Sequence, residues 1–112
     1  MTITLKGHNG ETVGTPEAKK IIGLLALHRS PRGEMWVITH IPTGFSAGTY
    51  HLYVVGLAAL RSLAALKGWE YVTGPKAPVE APDLWPAAGK IVQTYRHIMS
   101  ASSLKALHAD RA

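Results

Sequence analysis

Glu34-Met35-Trp36-Val37-Ile38-Thr39-His40-Ile41-Pro42-Thr43-Gly44-Phe45-Ser46-Ala47-Gly48-Thr49-Tyr50 is the stretch on which the fold turns. Its first half is rich in β-branched and aromatic residues, which fit a pleated, half-buried surface. Met35, Val37, Thr39 and Ile41 fall on one face of the resulting strand, and Trp36, Ile38 and His40 on the other. Pro42-Thr43-Gly44 ends it, and Phe45-Ser46-Ala47 reads as a short further strand. From Thr49, a cap-type residue, the pattern becomes helical and runs from about Tyr50 to Lys67, closed by Gly68.

The helix is apolar nearly all round. Leu52, Val55, Ala59, Leu63 and Leu66 mark one stripe. Tyr53, Leu57, Leu60 and Ala64 mark a second, which is the candidate apolar interface. A helix of this kind is buried on two sides or used against a partner. Gly56, Ala58, Ala59, Ala64 and Ala65 allow a neighbour to pack closely.

Upstream, Ile3 and Leu5 alternate with Thr2, Thr4 and Lys6, as in a strand. Asn9-Gly10 is a hairpin signal, with Glu11 to Val13 as the return strand. Thr15-Pro16-Glu17 has the order of a helix start. That predicts a short helix followed by a strand from about Ile22 to Arg29, although helix and strand compete over 21–29. Ser30-Pro31-Arg32-Gly33 is a turn. Downstream, Trp69 to Val72 reads as an edge strand, and the Pro-rich stretch 73–82 as an extended connector. Asp83 is placed to cap a second helix to about Met99, with Ser100 to Ala112 a weakly helical tail. The fold class that follows is α+β: one domain over 1–112, with a small antiparallel sheet packed on the apolar helix and a C-terminal helix.

The chain has 112 residues, 46% hydrophobic and 17% charged, which excludes a disordered chain and fits a single core. It has no cysteine, so disulfides, thiolate catalysis and Cys-ligated zinc are excluded. Its longest apolar stretch, Leu52 to Leu66, is shorter than the ~20 residues of a membrane span and is interrupted by Arg61 and Ser62. Met1 to Lys6 lacks the charged-then-apolar order of a signal peptide. A cytosolic protein without membrane contact is expected. The mean hydropathy of +0.06 points toward self-association as a homodimer or toward a bound partner.

Gly44-Phe45-Ser46-Ala47-Gly48 spells G-x-S-x-G, the turn that presents a nucleophilic serine in α/β-hydrolases. The serine needs an acid and then a histidine downstream. Asp83 and His97 have that order, but on one helix they lie roughly 21 Å apart. Ser46 is therefore read as part of a β-to-α turn, with a serine hydrolase only a third hypothesis, and no catalytic residue is assigned. His8, His28, His40, His51, His97 and His108 are scattered without metal-ligand spacing. No metal or other cofactor is expected.

The net charge of +5 and pI of about 9.8 raise the alternative of a DNA- or RNA-binding protein. Its candidate contacts are Lys19, Lys20, Arg29, Arg32, Lys90, Arg96 and His97. Trp36, Tyr50, Trp69, Trp85 and Tyr95 would be available for base stacking if exposed. No recognised nucleic-acid motif accompanies them.

The run Trp36 to Gly44, after the Pro31-Arg32-Gly33 turn, resembles a pattern in small accessory proteins of phages and plasmids. The resemblance implies a direct-binding protein, of the kind that inhibits host defence complexes in anti-CRISPR fashion. The sequence thus points first to stoichiometric binding of a protein or nucleoprotein.

Overall fold

A computed structural model describes residues 1–7, 9–31 and 33–98. The expected strand around Trp36 is present as β5 (Trp36–His40), at the heart of an antiparallel meander. Its neighbours are β3 (Lys20–Ile22), β4 (Leu25–Arg29) and β6 (Ser46–Tyr50), in the order β3-β4-β5-β6. A second, two-stranded sheet pairs β1 (Leu5–Lys6) with β2 (Thr12–Gly14) across the Asn9-Gly10 turn. Two helices follow, α1 (Tyr53–Ala64) and α2 (Leu84–Arg96), joined through a 3₁₀ turn at Trp69–Tyr71 and the Pro-rich connector. The molecule is α+β, as the residue pattern predicts.

The four-stranded sheet is covered on both faces, and the alternation along its strands shows why. Leu25 and Leu27 of β4 and Ile38 of β5 meet Val55, Ala59, Leu60 and Leu63 of α1 in the main core. Trp69, Leu84 and Tyr95 extend that core toward α2. Ala26, one position out of phase, faces the other way and packs against Ile3 and Leu5 of the N-terminal segment. Gly56 lets α1 approach the sheet closely. A Cβ there would lie 2.9 Å from Leu27 Cδ1.

Several boundaries differ from the sequence expectation, each for a tertiary reason. The helix expected from Thr15-Pro16-Glu17 is absent, because the N-terminal segment captures that stretch in an extended form. Ile3 N–H donates to the Pro16 carbonyl at 2.9 Å, and Ala18 N–H to the Met1 carbonyl at 2.8 Å. The Met1 ammonium pairs with Glu17 at 3.0 Å, and the Thr2 hydroxyl bonds the same carboxylate. The single strand expected over Ile22–Arg29 is instead a hairpin, folded at Gly23 (φ 60°). Thr49 and Tyr50 belong to β6, so α1 begins three residues later than expected, at Tyr53. Trp69 to Val72 is not an edge strand; its residues close a 3₁₀ turn behind Gly68. Asp83 holds the N-cap position of α2 without a side-chain capping bond, and α2 ends at Arg96. The expected tail, 100–112, lies outside the described residues.

The glycines of G-x-S-x-G are required by the backbone. Gly44 has φ 75°, and a Cβ there would lie 2.6 Å from the Thr4 carbonyl oxygen. Gly48 has φ 128° and backs onto the Tyr50 hydroxyl. Both positions are strained for any side chain. The motif is not the expected β-to-α turn: Gly44 and Phe45 close the β5–β6 connection and Ser46 to Gly48 enter β6, with the N-terminal hairpin pressed against Gly44 and Lys6 N–H bonded to the Gly44 carbonyl at 2.9 Å.

Candidate functional site

A cleft of about 770 Å³ lies between the N-terminal hairpin, the start of β6 and α2. Trp69, Trp85 and Phe45 give it aromatic walls, and Val72 and Val92 extend them. The two indoles lie 6.1 Å apart, tilted by 53°. Their polar edges are already occupied. Trp69 Nε1–H donates to the Leu63 carbonyl at 2.8 Å, and Trp85 Nε1–H to the Pro75 carbonyl at 2.9 Å. The second bond fastens the Pro-rich connector to the first turn of α2. With its N–H satisfied, the half-buried Trp85 indole offers apolar surface to whatever enters the cleft, while Trp69, 6% exposed, belongs to the main core behind it.

Ser46, His40 and Glu11 also line this cleft, a grouping that the linear order of the chain conceals. Its chemistry is set by hydrogen bonds already made. His40 Nε2 lies 2.9 Å from the Trp69 carbonyl oxygen, and Nδ1 lies 2.9 Å from the Thr43 hydroxyl. A carbonyl only accepts, so Nε2 carries the proton and Nδ1 accepts from Thr43. Both ring nitrogens are thus engaged, and neither is free to take a proton from Ser46. Burial pushes the His40 pKa below the usual imidazole range, only partly offset by the bond to Trp69. The Glu11 carboxylate turns back on its own hairpin and accepts the Asn9 N–H at 3.0 Å. Ser46 is exposed on β6 and makes no side-chain hydrogen bond among the described residues.

His28 is the second buried imidazole. It lies on the opposite face of the sheet, fully covered. Nδ1 donates to the Arg29 carbonyl at 2.6 Å, and the Thr39 hydroxyl donates to Nε2 at 2.7 Å. The register pairs His28 with Val37 and His40 with Leu25, so the two histidines are not cross-strand partners. Among the described residues no group of three metal-ligating side chains forms.

The basic candidates do not converge. Lys19 and Arg29 border a separate depression of about 550 Å³ beside Trp36. There the Arg29 guanidinium sits 4.4 Å above the Trp36 ring and donates to the Gly33 carbonyl at 2.9 Å. Lys20 is exposed on β3. Lys90, Arg96 and His97 are exposed on and just beyond α2, which packs against β6 at the other edge of the sheet. Arg32 lies outside the described residues. The stacking candidates Tyr50, Trp69 and Tyr95 are buried.

The apolar stripe of α1 is a packing surface rather than an open interface. Leu60 is fully buried, and Tyr53, Leu57 and Ala64 are half-buried against the main core. Tyr53 meets Trp36 edge-on at 4.9 Å. Val54 is the large apolar residue of α1 that remains exposed.

No family model, curated protein or solved structure matches the chain. No helix among the described residues is long and apolar enough to cross a membrane.

Proposed function

We propose that this chain is a small binding protein that acts by stoichiometric contact with a protein or nucleoprotein partner, through the cleft beside β6. The observation that carries this reading is the cleft itself, about 770 Å³ and walled by indoles whose polar groups are spent internally. Buried aromatic pockets of this kind supply most of the energy in protein contacts. The engaged nitrogens of His40 argue against the hydrolase alternative, because they leave that imidazole unable to serve as the base for Ser46. Replacing Ser46 with alanine is expected to leave any ester hydrolysis by the purified protein unchanged. The resemblance to phage and plasmid accessory proteins makes a host defence complex the first partner to test.

The test is capture of a defined partner from a host lysate by the wild-type protein, compared with Gly89→Leu, which fills the cleft. Capture by the wild type, lost in the variant, supports the reading. Equal capture by both places the contact elsewhere. A mass measurement in solution separates self-association from binding of a different partner.

Direct nucleic-acid binding is the second reading, supported by the charge of +5. Counterion release predicts affinity falling steeply with salt. With Lys19 and Lys20 at one edge of the sheet and Lys90 and Arg96 beside the other, no mobility shift is expected at physiological ionic strength.

A further inference from the structure

We propose that the partner enters the cleft as an extended, acidic segment of a second protein, pairing with β6 as a fifth strand and dropping apolar side chains between β6 and α2. This rests on the cleft being the contact surface and adds the chemistry of what fills it.

The two edges of the sheet are built differently. β3 has three residues and carries Lys20, a short and charged edge of the kind that discourages pairing. β6 is Ser46-Ala47-Gly48-Thr49-Tyr50, five residues with neither charge nor proline. Its backbone–backbone hydrogen bonds among the described residues run to β5 across an irregular step at Gly48, and the Ala47 carbonyl also accepts the Tyr50 hydroxyl at 3.4 Å. The outward N–H and C=O groups of such a strand are a template for an added strand, and side-chain pockets beside it supply selectivity. Phe45, Ser46 and Ala47 form one wall of the cleft, so the β6 end of the sheet and the pocket are continuous.

The glycines mark the space independently. The chain has eleven. Six have positive φ, at Gly7 and Gly56 a Cβ would come within 3.0 Å of a side chain, and at Gly14 it would make only ordinary contact, 3.4 Å from Pro31. Gly74 and Gly89 have neither reason to be glycine, and both line the cleft. Gly89 lies inside α2, where glycine weakens a helix relative to alanine. The fold does not need these glycines, whereas a segment lying close to the α2 and connector backbone does.

Charge selects an acidic segment. Lys6 lines the cleft, and its ammonium bonds the neutral Thr12 hydroxyl at 3.0 Å. Lys90, next to Gly89, is exposed. Neither is in a salt bridge among the described residues. Glu11 is turned onto its own hairpin.

A random dodecapeptide display library, panned on the wild-type protein, tests this. Enriched peptides are expected to alternate apolar residues and to carry Asp or Glu. Bound peptide is expected to slow amide exchange across 46–49. Gly89→Leu and Gly74→Leu, each checked for an unchanged circular dichroism spectrum, are expected to weaken binding roughly tenfold or more. Lys6→Gln is expected to weaken it and to flatten its salt dependence. No enrichment, or binding that both glycine variants retain, overturns the proposal. Binding that both variants abolish without protection of β6 overturns strand pairing while the cleft stands as the contact surface. Capture of an intact partner with no peptide enriched overturns the linear segment alone.

Discussion

His28 and His40 are held neutral by the same device, a carbonyl accepting from one nitrogen and a threonine hydroxyl donating to the other. Burial lowers both pKa values, with a smaller opposing contribution from the carbonyl bonds. The sign of the consequence follows from linkage. Below the unfolded value of 6.5 the unfolded chain binds protons that the folded chain refuses. Stability is therefore full above about pH 6.5 and declines as pH falls from there toward the folded values. Thermal melts from about pH 8 to about pH 5 should show this decline, and His28→Gln should reduce it. The G-x-S-x-G residues separate at the same scale. Ser46→Ala should change stability by less than about 0.5 kcal/mol, as for an exposed side chain with no partner among the described residues. Gly44→Ala should cost more than about 1 kcal/mol, because it adds a Cβ at positive φ against the Thr4 carbonyl. Denaturant titrations of the two variants measure the contrast.

Among the elements, α1 and α2 respond oppositely to small substitutions. Leu60 is fully buried beneath the sheet, and Leu60→Ala should cost about 2–5 kcal/mol. Gly89→Ala should stabilise by roughly 0.5–1 kcal/mol, because its Cβ meets nothing within 4 Å among the described residues and alanine favours the helix. A Tm comparison checks both. The sequence makes β5, the Asn9-Gly10 hairpin and the two helices legible, since each has its own period or turn chemistry. It misleads at Thr15-Pro16-Glu17, where local capping chemistry loses to hydrogen bonds from Met1 and Ile3. It underestimates β6, because Ser, Ala and Gly carry little strand propensity and the strand exists through its pairing with β5.

At the scale of the whole molecule, the cleft is assembled from parts far apart in the chain. Lys6, Ser46, Trp69 and Gly89 lie on four different elements. No spacing rule links them, so the grouping of His40 with Ser46 and the two indoles was not legible in the sequence. The all-round apolar character of α1 has a non-local explanation too. Sheet and α2 take most of its surface, leaving little for an outside partner. The net charge is similarly uninformative about site, because Lys19 and Lys20 lie at one edge of the sheet and Lys90 and Arg96 on α2 beside the other. The most direct measurement is hydrogen–deuterium exchange of the wild-type protein alone and with its captured partner. The account predicts slowed exchange over 45–49 and 85–92, with 53–64 and 19–29 unchanged. Protection centred on 53–64, or on 19–29 together with 90–97, with none over 45–49, would contradict it.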